Sequence, residues 1–244
     1  MDLLPPLSQI IIALGIIIIA YTLRGIAGFG SGLIAIPFLL LFLPIQIAVI
    51  LIVLLDYLAA LTQGIHGRKK VAFKLIWPLI PFNIIGILLA VYVFQQIDLS
   101  ILIQTLSVLL FFYALYYLFG FKVKQHASRI WAIPAGTLGT MVGTLFGTGG
   151  PFYVIYLQLQ GLDKSVFRST MATIFFIDGS LRISSYVLSG LITMQVLVLI
   201  VIALPVMLIS LYAGQHIHTN ITTRQFQRLI GALLLISSVT LFIK

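Results

Sequence analysis

Leu191-Ile-Thr-Met-Gln-Val-Leu-Val-Leu-Ile-Val-Ile-Ala-Leu-Pro-Val-Met-Leu-Ile-Ser-Leu-Tyr-Ala213 contains no charged side chain. A helix rises about 1.5 Å per residue, so this stretch reaches roughly 35 Å, enough to cross a hydrocarbon core of about 30 Å. Similar runs recur along the chain. Of 244 residues 61% are hydrophobic and 8% charged, with mean hydropathy +1.20. A soluble domain of this length keeps many more charges on its surface. Backbone groups in lipid must bond internally, and the short alternating strands of a barrel are absent from the pattern. The reading is an all-α, polytopic membrane protein.

Apolar runs bounded by charges and Pro/Gly breaks give about ten membrane segments. They lie near 8–23, 26–43, 45–64, 71–94 and 98–119, then 129–146, 149–160, 166–189, 191–213 and 225–243. The second and seventh are interrupted by Gly28, Gly30 and Gly32 and by Gly149, Gly150 and Pro151, so each reads as a broken helix or a re-entrant hairpin. The first segment has no basic stretch before it, which argues against a cleaved signal peptide. With no cysteine in the chain, disulfides, thiolate metal sites and cysteine nucleophiles are excluded.

The formal charge of +9 comes from 14 Lys and Arg against five Asp and no Glu. In a soluble protein such a balance points to nucleic acid; here it fits basic cytoplasmic loops, and no nucleic-acid partner is expected. Arg68, Lys69, Lys70 and Lys74 crowd one loop, and Lys122, Lys124 and Arg129 another. Lys164 with Arg168, and Arg224 with Arg228, mark two more. With the N-terminus outside, all four fall in the cytoplasm together with Arg24, and Lys244 is the exception.

The chain repeats itself. A shift of 119 positions carries Gly28-Phe29-Gly30-Ser31 onto Gly147-Thr148-Gly149-Gly150, Ile36 onto Ile155 and Leu40 onto Leu159. Further on the offset drifts to 124, where Pro81 meets Pro205 and Ile97 meets Ile221. The halves are 1–121 and 128–244, forming one integrated membrane domain. Five segments per half is an odd number, so the second half is expected to be inverted, a common plan for secondary transporters with broken helices at the repeat interface.

Three motifs carry a family resemblance. Gly25-Ile-Ala-Gly28-Phe-Gly30-Ser-Gly32-Leu-Ile-Ala-Ile-Pro37 resembles the first-repeat signature of the TauE/SafE family of sulfite and organosulfonate exporters. Gly143-Thr-Leu-Phe-Gly147-Thr-Gly149-Gly150-Pro151 resembles that family's second-repeat signature, and Gly214, Thr223-Arg224, Phe226, Arg228-Leu229 and Gly231 are similar to its terminal pattern. The resemblance implies secondary export of small sulfur-containing anions across the bacterial inner membrane.

Ionisable groups inside a membrane are costly and face a cavity or a partner. Asp178 and Arg182 lie four residues apart on one helix face: either a structural ion pair, or an Arg that holds an anion with an Asp that orients it. The planar guanidinium suits sulfite or sulfonate oxygens. Asp56 lies mid-segment, either a proton carrier or the partner of Arg182 or Arg24. Arg24 is either a cytoplasmic-edge residue or a cation that approaches an anion beside the broken helix. Gly139, Gly143 and Gly147, spaced by four, give a small face for close helix packing. The denser clusters unwind helices and free backbone amides at a helix start, a natural anion site. The substrate-binding candidates are therefore Arg24, Gly28, Gly30, Ser31, Gly32, Gly147, Thr148, Gly149, Gly150, Pro151 and Arg182, with Asp56 and Asp178 as coupling candidates.

Ser31, Thr148, Asn83, Thr173 and Gln63 are candidates to line the pathway. His66, His126, His216 and His218 fall at expected loops; His216 and His218 make a thin basis for metal without nearby acidic or sulfur ligands, so neither metal nor cofactor is expected. Trp77 and Trp131 fit an interfacial aromatic belt. A secondary transporter using alternating access leads, with a small anion and the bilayer as its partners; a homodimer is compatible with the sequence. An anion channel of the same architecture is the alternative. An intramembrane enzyme is disfavoured by the lack of cysteine or membrane-embedded histidine.

Overall fold

The computed structural model describes residues 5–67, 71–119, 128–217 and 223–243. Helices α1 (Leu7–Ala27), α2 (Ser31–Leu39), α3 (Ile45–Gly67), α4 (Phe73–Ile76), α5 (Leu79–Gln96) and α6 (Leu99–Phe119) come first. Then follow α7 (Ala132–Phe146), α8 (Gly150–Leu159), α9 (Lys164–Leu188), α10 (Met194–His216) and α11 (Thr223–Ile243). No strand occurs among the described residues. Six stretches are long and apolar enough to span a bilayer: Leu7–Ala27, Ile45–Thr62, Phe73–Phe94, Leu99–Phe119, Ser165–Leu188 and Met194–His216. The protein is a multi-pass membrane protein.

Polarity is distributed as lipid demands. Ile11, Ile19, Phe111, Phe112, Val201, Ile209 and Phe242 are exposed, while Arg24, Asp178 and Arg182 are buried. In water that arrangement would be unfavourable on both counts; in hydrocarbon the outer surface is already solvated and charges retreat to a polar interior. Trp77 and Trp131 also project outward.

The glycine clusters set the chain's path. α1 stops at Gly28, whose φ of 88° is left-handed, with its N–H donating to the Arg24 carbonyl over 2.6 Å. α7 stops the same way at Gly147, φ 63°, bonded to the Gly143 carbonyl at 2.9 Å. A residue with a Cβ is strained in this conformation, so glycine ends each helix. α2 and α8 then start from Gly30 and Gly149, with Pro151 in the first turn of α8, where a missing N–H costs nothing. With nine and ten residues they reach only about 15 Å, half a bilayer, so the second and seventh segments are half-helices rather than crossings.

Helix pairing comes in matched sets. α1 packs on α10 and α7 on α5; α1 packs on α2 and α7 on α8. α3 packs on α10 and on α2, and α9 packs on α5 and on α8. α3 also packs on α9, and α6 on α11.

Candidate anion site between two helix starts

The two clusters meet in space. A Cβ added at Gly32 would collide with the Gly147 carbonyl oxygen, and one at Gly147 would strike the Ile36 side chain. Only glycine lets the backbones of the two half-helix starts approach so closely. Beside this junction lies a cleft walled by Gly30 and Gly32, by Gly147, Thr148, Gly149 and Gly150, and by Val53, Asp56, Tyr57, Phe175, Asp178 and Arg182. Its free volume is about 20 Å³, room for roughly one water.

Each half supplies an ion pair. In the first, Arg24 Nη1 lies 2.7 Å from Asp56 Oδ1, and the same carboxylate oxygen accepts from Tyr21 Oη and Ser31 Oγ, each at 2.6 Å. Arg24 also donates to Ser31 Oγ at 3.0 Å and to the Asp56 carbonyl at 3.1 Å, and its guanidinium sits 5.2 Å from the Phe175 ring centre. In the second, Arg182 Nη2 pairs with Asp178 Oδ2, and Thr140 Oγ1 donates to Asp178 Oδ1 over 2.6 Å. Thr140 shares a 2.7 Å hydrogen bond with Tyr153, whose hydroxyl reaches Asn83 Oδ1 at 3.3 Å. The shift of 119 that carries Gly28 onto Gly147 carries Tyr21 onto Thr140. Equivalent positions on α1 and α7 thus donate hydroxyls to the carboxylates of α3 and α9.

Geometry sorts the sequence candidates. Gly30, Gly32, Gly147, Thr148, Gly149, Gly150, Asp56, Asp178 and Arg182 line the cleft. Arg24, Gly28, Ser31 and Pro151 are not on its wall; Arg24 and Ser31 stand behind Asp56 and hold it. Of the two partners the sequence offers Asp56, the fold supplies Arg24, 32 positions away; Arg24 is fully buried in that pair rather than an exposed cytoplasmic-edge charge. Arg168 was counted as a loop charge, yet it lies within α9 and donates from Nη2 to the Gly25 carbonyl at 2.7 Å. Gly139 and Gly143 do serve close packing: a Cβ at Gly149 would meet the Gly139 carbonyl and Gly143 Cα. Gly143 has a second duty, since a Cβ there would overlap the Arg182 guanidinium.

Tyr57, Phe175 and Gly179 line or flank the cleft without any signal in the sequence; Tyr57 stacks on Phe176 at 5.3 Å, across the α3–α9 seam. Asn83 is buried in the Tyr153 network, and Thr173 donates to the Ser169 carbonyl of its own helix. His216 ends α10 against Tyr212. His126, His218, Lys122, Lys124, Arg68, Lys69, Lys70 and Lys244 lie outside the described residues, as do the side chains of Gln63, His66, Arg129, Lys164 and Arg224.

Two features of the cleft look toward an anion. The Thr148 hydroxyl and the Arg182 Nε are buried with no hydrogen-bond partner. Buried polar groups are normally satisfied, so an unpaired pair of potential donors on a cleft wall marks a place for an acceptor. The starts of α2 and α8 converge there, and helix starts carry free N–H groups and partial positive charge.

No curated protein and no solved structure matched the chain. The family model for "Sulfite exporter TauE/SafE" matches residues 12–241, which include both half-helices, both ion pairs and the cleft between them. The protein belongs to the TauE/SafE family of sulfite exporters, membrane transporters rather than enzymes.

Proposed function

We propose that this protein is a secondary transporter that exports small sulfur-containing anions, sulfite or organosulfonates, across a bacterial inner membrane by alternating access. The observation that carries the site is the cleft between the starts of α2 and α8, with the Thr148 hydroxyl and Arg182 on its wall. An oxyanion there meets donors from both half-helices and a guanidinium already desolvated. The matched helix pairings support two inverted repeats, 1–121 and 128–244, in which the five segments of each half include one broken helix. The basic-loop pattern supports an N-terminus outside.

Asp56 is the coupling candidate. Its carboxylate faces the cleft and is 20% exposed, whereas Asp178 is 1% exposed and closed in by Arg182 and Thr140. Proton uptake at Asp56 would release Arg24 and Tyr21 and so change the junction on which α2 starts. Asp56→Asn removes that titration: if transport by the variant keeps its pH dependence, Asp56 carries no proton.

A thermal-shift screen of purified protein against sulfite, thiosulfate, taurine, sulfoacetate and chloride tests the substrate class, because a ligand that binds the folded state stabilises it by mass action. Selective stabilisation by a sulfur oxyanion, lost in Arg182→Gln, is the expected result. Absence of any shift with sulfur anions overturns the substrate class. Conductance through reconstituted protein without proton coupling would instead establish the anion channel.

A further inference from the structure

Two hydrogen bonds outside the ion pairs obey the repeat. The shift that carries Gly28 onto Gly147 also carries Gly25 onto Thr144. The Gly25 carbonyl accepts from Arg168 Nη2 at 2.7 Å, and the Thr144 carbonyl accepts from Tyr186 Oη at 2.7 Å. Both carbonyls sit in the last turn of a helix that ends at a left-handed glycine. Their intrahelical partners are lost there, so a side-chain donor is the natural replacement.

Both donors come from one helix. Arg168 and Tyr186 stand near the two ends of α9, eighteen residues apart, which is five turns and about 27 Å. Five whole turns place them on the same face, and Asp178 and Arg182 lie between them. α9 therefore crosses the molecule as a bar hooked to the end of α1 at one extremity and to the end of α7 at the other. The cleft lies between the hooks. Beyond Tyr186 opens a second cavity, lined by Thr144, Ser185, Tyr186, Ser189, Ala90 and Phe94. Among the described residues Arg168 has no carboxylate partner; its side chain lies over Gly28, 3.5 Å from where a Cβ would stand.

We propose that these two hydrogen bonds are the gates of the transporter: Arg168 to the Gly25 carbonyl closes the cleft toward one membrane face, and Tyr186 to the Thr144 carbonyl closes it toward the other. Both are made in this conformation, in agreement with a cleft that has room for about one water. Opening one face requires one hook to release while the other holds. The Arg168 hook is also sensitive to cargo, since an anion is a stronger partner for a guanidinium than a neutral carbonyl. This inference rests on alternating access through the cleft.

The absence of cysteine from the chain makes the test direct. Val53→Cys places a single thiol on the cleft wall, and a membrane-impermeant maleimide reports its accessibility in inside-out and right-side-out vesicles separately. Adding Arg168→Gln should speed labelling from the face at the α9 start by about fivefold and leave the other face unchanged, the size expected for losing one hydrogen bond in a two-state equilibrium. Adding Tyr186→Phe, which deletes only the hydroxyl, should do the reverse. Arg168→Lys, which keeps a donor, should label more slowly than Arg168→Gln. Equal labelling in all variants, or acceleration from the same face by both, overturns the gates. Flux of sulfite and taurine through the unsubstituted protein in matching vesicles separates the two layers. If that protein transports but sidedness never changes among the labelled variants, the gates fail alone; if neither anion moves, the substrate reading fails, and the labelling still decides the gates.

Discussion

The guanidinium of Arg182 fills the space that a side chain at Gly143 would occupy. Gly143 is the repeat equivalent of Arg24 under the shift that aligns the two glycine clusters. One half grows its guanidinium from the broken-helix arm, α1; the other lends it from α9 and leaves the α7 position empty to receive it. The two halves thus reach similar chemistry, an Arg–Asp pair braced by a hydroxyl at position 21 or 140, by different attachments. Gly143→Ala should therefore push Arg182 off Asp178. We expect a loss of about 1–3 kcal/mol, the usual range for overpacking, with a lowered melting temperature in detergent. Gly15→Ala, with nothing within 4 Å, is the control and should leave the melting temperature unchanged or raised.

Removing one partner of a buried pair costs more than removing both. Asp178→Asn strands the Arg182 charge in a site where its residue is 6% exposed, and about 3–5 kcal/mol of stability should go with it. Asp178→Asn combined with Arg182→Gln should recover most of that loss, because no unpaired charge remains. Melting temperatures of the two single variants and the double variant close the cycle. A double variant no more stable than Asp178→Asn would show that the pair is not the unit of stability.

Much of this was legible beforehand. Long apolar runs announce spanning helices because hydrocarbon thickness imposes their length, and glycines at 28, 30, 147 and 149 announce breaks because few other signals put so many in apolar sequence. Arg24 and Arg168 were harder. A charge at the end of an apolar run reads as a cytoplasmic edge; the sequence offers both Arg24 and Arg182 as partners for Asp56, and only the fold chooses Arg24. The partner of Arg168 is a backbone carbonyl 143 positions away, which has no signature in sequence at all. Tyr57 and Phe175 were silent for a related reason: aromatic residues in membrane helices are common, and only the fold turns these two toward the cleft.

Close approach and backbone conformation can be separated by two glycines two residues apart. Gly30 has φ 97° but open space around its missing Cβ, so Gly30→Ala should cost only conformational strain, about 1–2 kcal/mol. Gly32 sits in α2 with ordinary φ, yet a Cβ there collides with the Gly147 carbonyl, a backbone atom that cannot step aside. Gly32→Ala should cost more and should prise the two half-helix starts apart. Melting temperature ranks the two variants; the reverse order would mean that the junction is held by something other than this contact.

Thr148 separates stability from recognition. Its hydroxyl is buried and unpaired, so it contributes no hydrogen bond to the fold as it stands. Thr148→Val keeps the shape and removes an unsatisfied polar group, and the melting temperature of the ligand-free protein should stay level or rise slightly. If the hydroxyl donates to a bound oxyanion, the same change should weaken sulfite or sulfonate binding by about tenfold, read from the concentration dependence of the thermal shift. A gain in stability together with a loss of affinity has no explanation in packing, since a hydroxyl that served only the fold would lower both. Unchanged affinity would move the anion away from Thr148 and toward the Arg182 side of the cleft.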